Sequence, residues 1–226
     1  LFMMVVGPQT FVLFLSDRQT DAPLNDPTVQ GIWLFSYLAM LPIALRSFGT
    51  VAWMWQRNLA LLLVVSLTTL SFLWSTDSIE SLKYSGYLLG TSLLAGAFAL
   101  RYSPERFNQR LAQTLLLVAV LCLVAALFFP HFGVMSGVHE GRWRGIFLHK
   151  NIMGRFMALG LLSNLLAAWL SGGRERWLYV GGALFCAGLM MMAQSASALV
   201  VTALVGATLL ALRIWMPGDG SGVRRH

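Results

Sequence analysis

The sequence predicts an all-α protein, a polytopic membrane bundle of about eight helices with both termini in the cytoplasm. Three observations predict it. Of the 226 residues, 57% are hydrophobic and 11% charged, whereas a soluble domain carries roughly 25% charged residues. Apolar runs recur along the whole chain between short polar loops, the pattern of a multi-span protein. The basic residues also alternate from loop to loop. Arg46 and Arg57 follow the second run, Arg101, Arg106 and Arg110 the fourth, Arg174 and Arg176 the sixth, and Arg213, Arg224 and Arg225 the eighth. Cytoplasmic loops carry the excess of Lys and Arg, so these loops read as inside. The net charge of +7 is distributed over short loops between spans, which argues against nucleic-acid binding.

The spans follow in order. Span 1, residues 2–15, is short. A signal peptide is its rival reading, but the run lacks a basic start and a small-x-small cleavage site. Span 2 covers residues 29–45 with Pro42 near its end, and span 3 covers 59–74. Span 4, residues 82–100, contains Gly86-x-x-x-Gly90, a spacing that lets helices approach closely. Span 5 covers 111–129, span 6 152–170, span 7 177–192 and span 8 196–214. Several fall at the short end of the ~17–25 residues that cross a bilayer. Residues 1–216 thus form one transmembrane domain, and 217–226 a polar, glycine-containing tail read as flexible. Trp53, Trp55, Trp74, Trp169, Trp177 and Trp215 lie near span ends as an interfacial belt. Asp17, Asp21, Asp26, Asp77, Glu80 and Glu140 all fall in outside loops. Cys122 and Cys186 sit within spans and read as small packing residues.

One outside loop breaks the charge pattern. Arg18 and Lys83 stand nearly alone in theirs, whereas Arg142, Arg144 and Lys150 crowd into the loop after span 5, and Arg155 follows inside span 6. Orientation does not explain them. The run Gly141-Arg142-Trp143-Arg144-Gly145-Ile146-Phe147-Leu148-His149-Lys150-Asn151-Ile152-Met153-Gly154-Arg155 ends on the first turn of a helix. A helix start offers backbone N–H groups and a positive dipole end, and guanidinium groups grip phosphate in pairs of hydrogen bonds. The loop is therefore expected to hold the phosphate part of a substrate.

Each residue carries two readings. Asn151 is placed to cap span 6 or to position a ligand. Arg155 either snorkels outward or faces a cavity with Arg142 and Arg144. His149 is either an incidental loop histidine or, held neutral by neighbouring cations, a base toward a sugar hydroxyl or a phosphate partner. His139 and Glu140 make no recognisable metal site, and His131 reads as interfacial. There is no P-loop, no Gly-x-Ser-x-Gly and no carboxylate pair, and no metal or other cofactor is expected.

The segment Gly145-Ile146-Phe147-Leu148-His149-Lys150-Asn151-Ile152-Met153-Gly154 resembles the Gly-x-Phe-x-His-x-Asn-x-x-Gly signature of the O-antigen ligase and exopolysaccharide polymerase superfamily. Trp74-Ser75, followed by Ser81-Leu82, is similar to the family's Trp-Ser segment, with Ser78 where proline is common. Gln194-Ser195-Ala196-Ser197-Ala198 is similar to its serine-rich span start, without the arginine often found there. The resemblance covers residues 30–212 and is closest to the polysaccharide polymerase branch.

The resemblance implies a multi-pass glycosyltransferase of the bacterial inner membrane. Such an enzyme joins a glycan carried on undecaprenyl pyrophosphate to a glycan or lipid acceptor on the periplasmic side, without metal, during surface polysaccharide synthesis. It implies that Arg142, Arg144, Lys150, Asn151 and Arg155 hold the pyrophosphate, with His149 and Arg144 catalytic. The lipid bilayer and other polysaccharide-assembly membrane proteins are the implied partners. Family members also have a large outer loop and further spans toward the C-terminus, so this chain reads as an N-terminal part or a shortened copy. The rival classes are a transporter with an anion-binding outer loop and an inactive scaffold or fragment.

Overall fold

The computed structural model describes residues 27–215. Predicted span 1 and the tail 217–226 lie outside the described residues. Within them the chain forms eight α-helices: α1 Pro27–Arg57, α2 Leu59–Leu70, α3 Ser78–Arg101, α4 Pro104–Phe128, the single turn α5 Pro130–Gly133, α6 Lys150–Leu170, α7 Gly173–Ala193 and α8 Ala196–Trp215. Short 3-10 turns occupy Ser71–Leu73 and Gly137–His139. The described residues contain no strand, and their one isolated bridge joins Val134 to Trp143. Pro104–Phe128, Lys150–Leu170 and Gly173–Ala193 are each long and apolar enough to cross a membrane. Phe48–Arg57 and Leu62–Leu73 add a fourth candidate if taken as one span broken by a 103° bend. The chain is an all-α membrane protein.

Contacts divide it into two units, residues 1–111 and 112–226. In the first, α1 does not stop where predicted. It continues beyond Leu45 to Arg57 with Pro42 inside it. Pro42 costs one backbone hydrogen bond and favours a kink, but the residues after it carry no strong stop. Arg46 interrupts the hydrophobicity there without interrupting the helix. α3 begins earlier than span 4 because Asp77 caps it, its carboxylate accepting from Glu80 N–H at 3.0 Å. Of Gly86 and Gly90, Gly90 is a close approach, since a Cβ there would lie 2.8 Å from the Tyr37 ring of α1, whereas among the described residues nothing comes within 4 Å of a Cβ at Gly86.

In the second unit, α4 buries Ala112, Leu115, Val118, Ala119, Cys122, Ala125 and Ala126. This three-and-four spacing makes one stripe along the helix. α6 and α7 pack along each other, and α8 returns against α6. Small residues set the distances: a Cβ at Gly160 would lie 2.9 Å from Cys186 Sγ. Both cysteines are free and buried. Asn164 of α6 is fully buried, donating to its own helix at Gly160 O, 2.8 Å, and to Ala112 O of α4, 3.5 Å. Its Oδ1 has no hydrogen-bond partner. That oxygen lies against α7, where a Cβ at Gly182 would be 2.6 Å away.

Candidate anion-binding site

The loop between α4 and α6 is built by its own backbone. Val134 and Trp143 bridge, Met135 N–H donates to Arg142 O at 2.8 Å, and the N–H groups of Arg144 and Gly145 both reach Gly133 O at 2.9 Å. The tip turns on Gly137 and Gly141, with φ of 70° and 78°, a region that side chains disfavour. Gly145, at φ 59°, lets the returning chain touch α4: a Cβ there would lie 2.5 Å from Cys122 Sγ. Phe147 is buried and stacks on Phe156 of α6, ring centroids 4.8 Å apart. Trp143 N–H donates to Met192 O at 3.2 Å, fastening the loop to the end of α7.

On this frame the expected residues divide. Arg142 Nη1 lies 3.0 Å from His139 Nδ1. Guanidinium only donates, so Nδ1 accepts and carries no proton. The His139 ring meets that of His149 edge to face, centroids 5.4 Å apart. Desolvation, followed by the charges of Lys150, Arg142 and His149, lowers the His139 pKa below its ordinary value. Lys150 is buried by surface area, and its Nζ donates to Gln194 O at 3.1 Å. Gln194 is the left-handed residue, φ 47°, that ends α7.

Arg144 is differently employed. Its Nε donates to Phe132 O at 2.6 Å and its Nη2 to His131 O at 3.2 Å. It clamps the carbonyls of the α5 turn, and burial lowers its pKa. Arg155 is exposed and its Nε returns to the Asn151 carbonyl at 3.3 Å. That hydrogen bond is within its own helix, and among the described residues no contact of Arg155 with Arg142 or Arg144 is seen.

The cap also moves. His149 has extended backbone, φ −144° and ψ 144°, and its Nδ1 accepts from Asn151 N–H at 3.2 Å. The N–H groups of Ile152 and Met153 donate to His149 O at 3.0 and 3.2 Å. Asn151 is therefore the second helical residue, not the cap. The expected free first-turn N–H groups are largely occupied, leaving side chains and the helix dipole to attract an anion. His149 Nδ1 is likewise committed and is not placed to take a proton from a substrate.

Among the described residues, no carboxylate pairs with Arg142, Arg144 or Lys150. Glu140 is exposed, and its hydrogen bond is through its backbone N–H, to Gly137 O. The loop thus concentrates three basic side chains against one exposed, unpaired carboxylate, and the described residues contain no group of His, Cys, Asp and Glu able to hold a metal. Sequence reasoning set His139 aside, although its three-residue spacing from Arg142 was a usable signal. The Gln194 carbonyl had none, because its role depends on a left-handed glutamine. Gly154 lies against the buried Ser195, a Cβ there falling 2.5 Å from Ser195 Cβ, so the serine-rich start of α8 is beside the N-terminal part of α6. A separate surface cavity of 330 Å³ in the first unit is lined by Gln30, Asp77, Ile79, Glu80 and Lys83. Its charges are mixed, and Asp77 there is a helix cap.

No family model, curated protein or solved structure matches this chain.

Proposed function

We propose that this is a bacterial inner-membrane glycosyltransferase of the O-antigen ligase and polysaccharide polymerase type. In this reading it has eight spans and both termini in the cytoplasm, and it presents the loop before α6 to the periplasm. Its substrate is a glycan on undecaprenyl pyrophosphate. The observation that carries the reading is the cationic loop itself: Arg142, Arg144 and Lys150 beside two histidines, with no carboxylate paired to them, on a helix hairpin apolar enough to lie in lipid. Transfer of a glycan leaves a pyrophosphate, and fixed cations that stabilise the developing charge lower that barrier. Arg142 and the His149 ring meet the pyrophosphate, Lys150 contributes its charge from the helix start, Asn151 and Arg155 flank it, and Arg144 holds the loop in shape.

A second reading, an anion transporter, is favoured by the 103° break between Phe48–Arg57 and Leu62–Leu73, since broken helices mark many transport sites. Reconstitution in vesicles separates the two. The glycosyltransferase reading expects a lengthened or transferred glycan from an undecaprenyl-pyrophosphate donor, lost on Arg142→Ala. Uptake of a free anion without any glycan product would replace it by the transporter.

A further inference from the structure

Resting on the reading of this loop as an anion site, we propose that His139 is a proton-controlled latch on Arg142. With its Nδ1 unprotonated, His139 holds the Arg142 guanidinium 3.0 Å away, and a proton taken up at Nδ1 ends that bond and releases Arg142 to an incoming anion.

The geometry has three parts. The bond has one direction, because a guanidinium has no lone pair to offer. Protonation at Nδ1 therefore does not weaken the contact but replaces attraction by repulsion between two cations. The groups facing His139 are Arg142 from its own loop and His149 and Lys150 from the start of α6. At the corner after α7 the Gln194 carbonyl is taken by Lys150. Glu140, next in sequence, is exposed and makes no side-chain bond to the cluster. Every charged group facing the imidazole thus opposes its second proton until an anion arrives. An anion reverses that balance, since it attracts both the imidazolium and the freed guanidinium. Anion binding and proton uptake at His139 are coupled, and each favours the other by the same factor.

The sign follows. His139 is neutral in the resting loop, so Arg142 is withheld at high pH and released as pH falls through and below the imidazole range. Anion affinity rises as pH falls. The test uses the full chain in detergent and sulfate as probe, a dianion whose charge is constant from pH 8 to pH 5.5. Wild type is expected to bind sulfate about tenfold more tightly at pH 5.5 than at pH 8, the worth of roughly one hydrogen bond to a charged group. His139→Gln, whose amide oxygen still accepts from Arg142, is expected to bind weakly at both pH values. His139→Ala removes the holder and should bind at pH 8 more tightly than wild type does there, with no further gain at pH 5.5. His149→Asn, which keeps a capping side chain but gives up the ring proposed to meet the anion, should bind more weakly at both pH values and still bind more tightly at pH 5.5 than at pH 8.

A wild-type affinity that does not change with pH, while Arg142→Ala still abolishes binding, overturns the latch and leaves the anion site standing. A pH dependence that disappears in His149→Asn but survives in His139→Gln also overturns it. Sulfate binding that ignores Arg142→Ala at every pH removes the anion-site reading, and the latch with it.

Discussion

Lys150 Nζ donates to the carbonyl oxygen of Gln194 at 3.1 Å, so the first residue of α6 is tied to the residue that ends α7. The two are 44 positions apart in sequence. Lys150→Met keeps most of the aliphatic stem and removes the donor. A hydrogen bond from a charged group is worth ~1.5–3 kcal/mol, so the variant is expected to melt several degrees lower in detergent. An unchanged melting curve would show that the tie carries no stability.

Gly145 tests the packing of the loop on α4. Alanine there meets two obstacles, a backbone at φ 59° and a Cβ 2.5 Å from Cys122 Sγ. Left-handed backbone costs a non-glycine residue ~1–2 kcal/mol, and overpacking adds ~1–3 kcal/mol. Gly145→Ala should therefore destabilise by more than either effect alone. Adding Cys122→Ala should recover part of the loss, measured as melting temperature in a double-mutant cycle. Full recovery would mean the backbone conformation costs nothing, and no recovery would leave the cost with that conformation and with the Cys122 Cβ, 2.6 Å from the new methyl, which the second substitution keeps.

Arg144→Lys separates a clamp from a ligand. Lysine keeps the charge but cannot reproduce the guanidinium fork that reaches both Phe132 O and His131 O. Backbone amides of residues 132–145 should exchange hydrogen faster in the variant, while those of α6 and α7 exchange as before. Unaltered exchange in the loop would remove Arg144 from its structural role.

Val138 reports which side of the membrane the loop faces. It is 96% exposed at the loop tip, and the native Cys122 and Cys186 are buried, which keeps background labelling low. Val138→Cys should react with a membrane-impermeant thiol reagent added outside intact spheroplasts. Labelling only after the membrane is opened would reverse the proposed orientation.

The helices were legible because apolar runs of this length have few alternatives to a helix, although three, or four with the bent pair, are long and apolar enough to cross a membrane among the described residues. Their ends were less so. Pro42 and Arg46 look like a stop, yet α1 runs to Arg57, since one lost hydrogen bond does not outweigh continued helix on both sides. The site shows the same division. That Arg142, Arg144 and Lys150 gather before α6 was visible as an excess over what orientation requires. Which of them could face a ligand was not. Arg144 is spent on carbonyls twelve and thirteen positions back, and no local pattern encodes that choice. Asn151 is the commoner residue type for a cap, but a cap is defined by extended backbone, and His149 has it.

Asn164 has a mechanical consequence. Its bare Oδ1 fits only because Gly182 presents no side chain. Sliding α6 along α7 would carry that oxygen out of the gap that Gly182 leaves on the α7 surface. The fit acts as a dowel through the two helices, with Gly160 against Cys186 as a second close fit on the same pair. The two fits resist shear between α6 and α7 and favour movement of the hairpin as one lever. Trp143 ties the loop to that lever at Met192 and Lys150 ties the start of α6 to it at Gln194, so a movement of the hairpin carries the loop's attachment points with it.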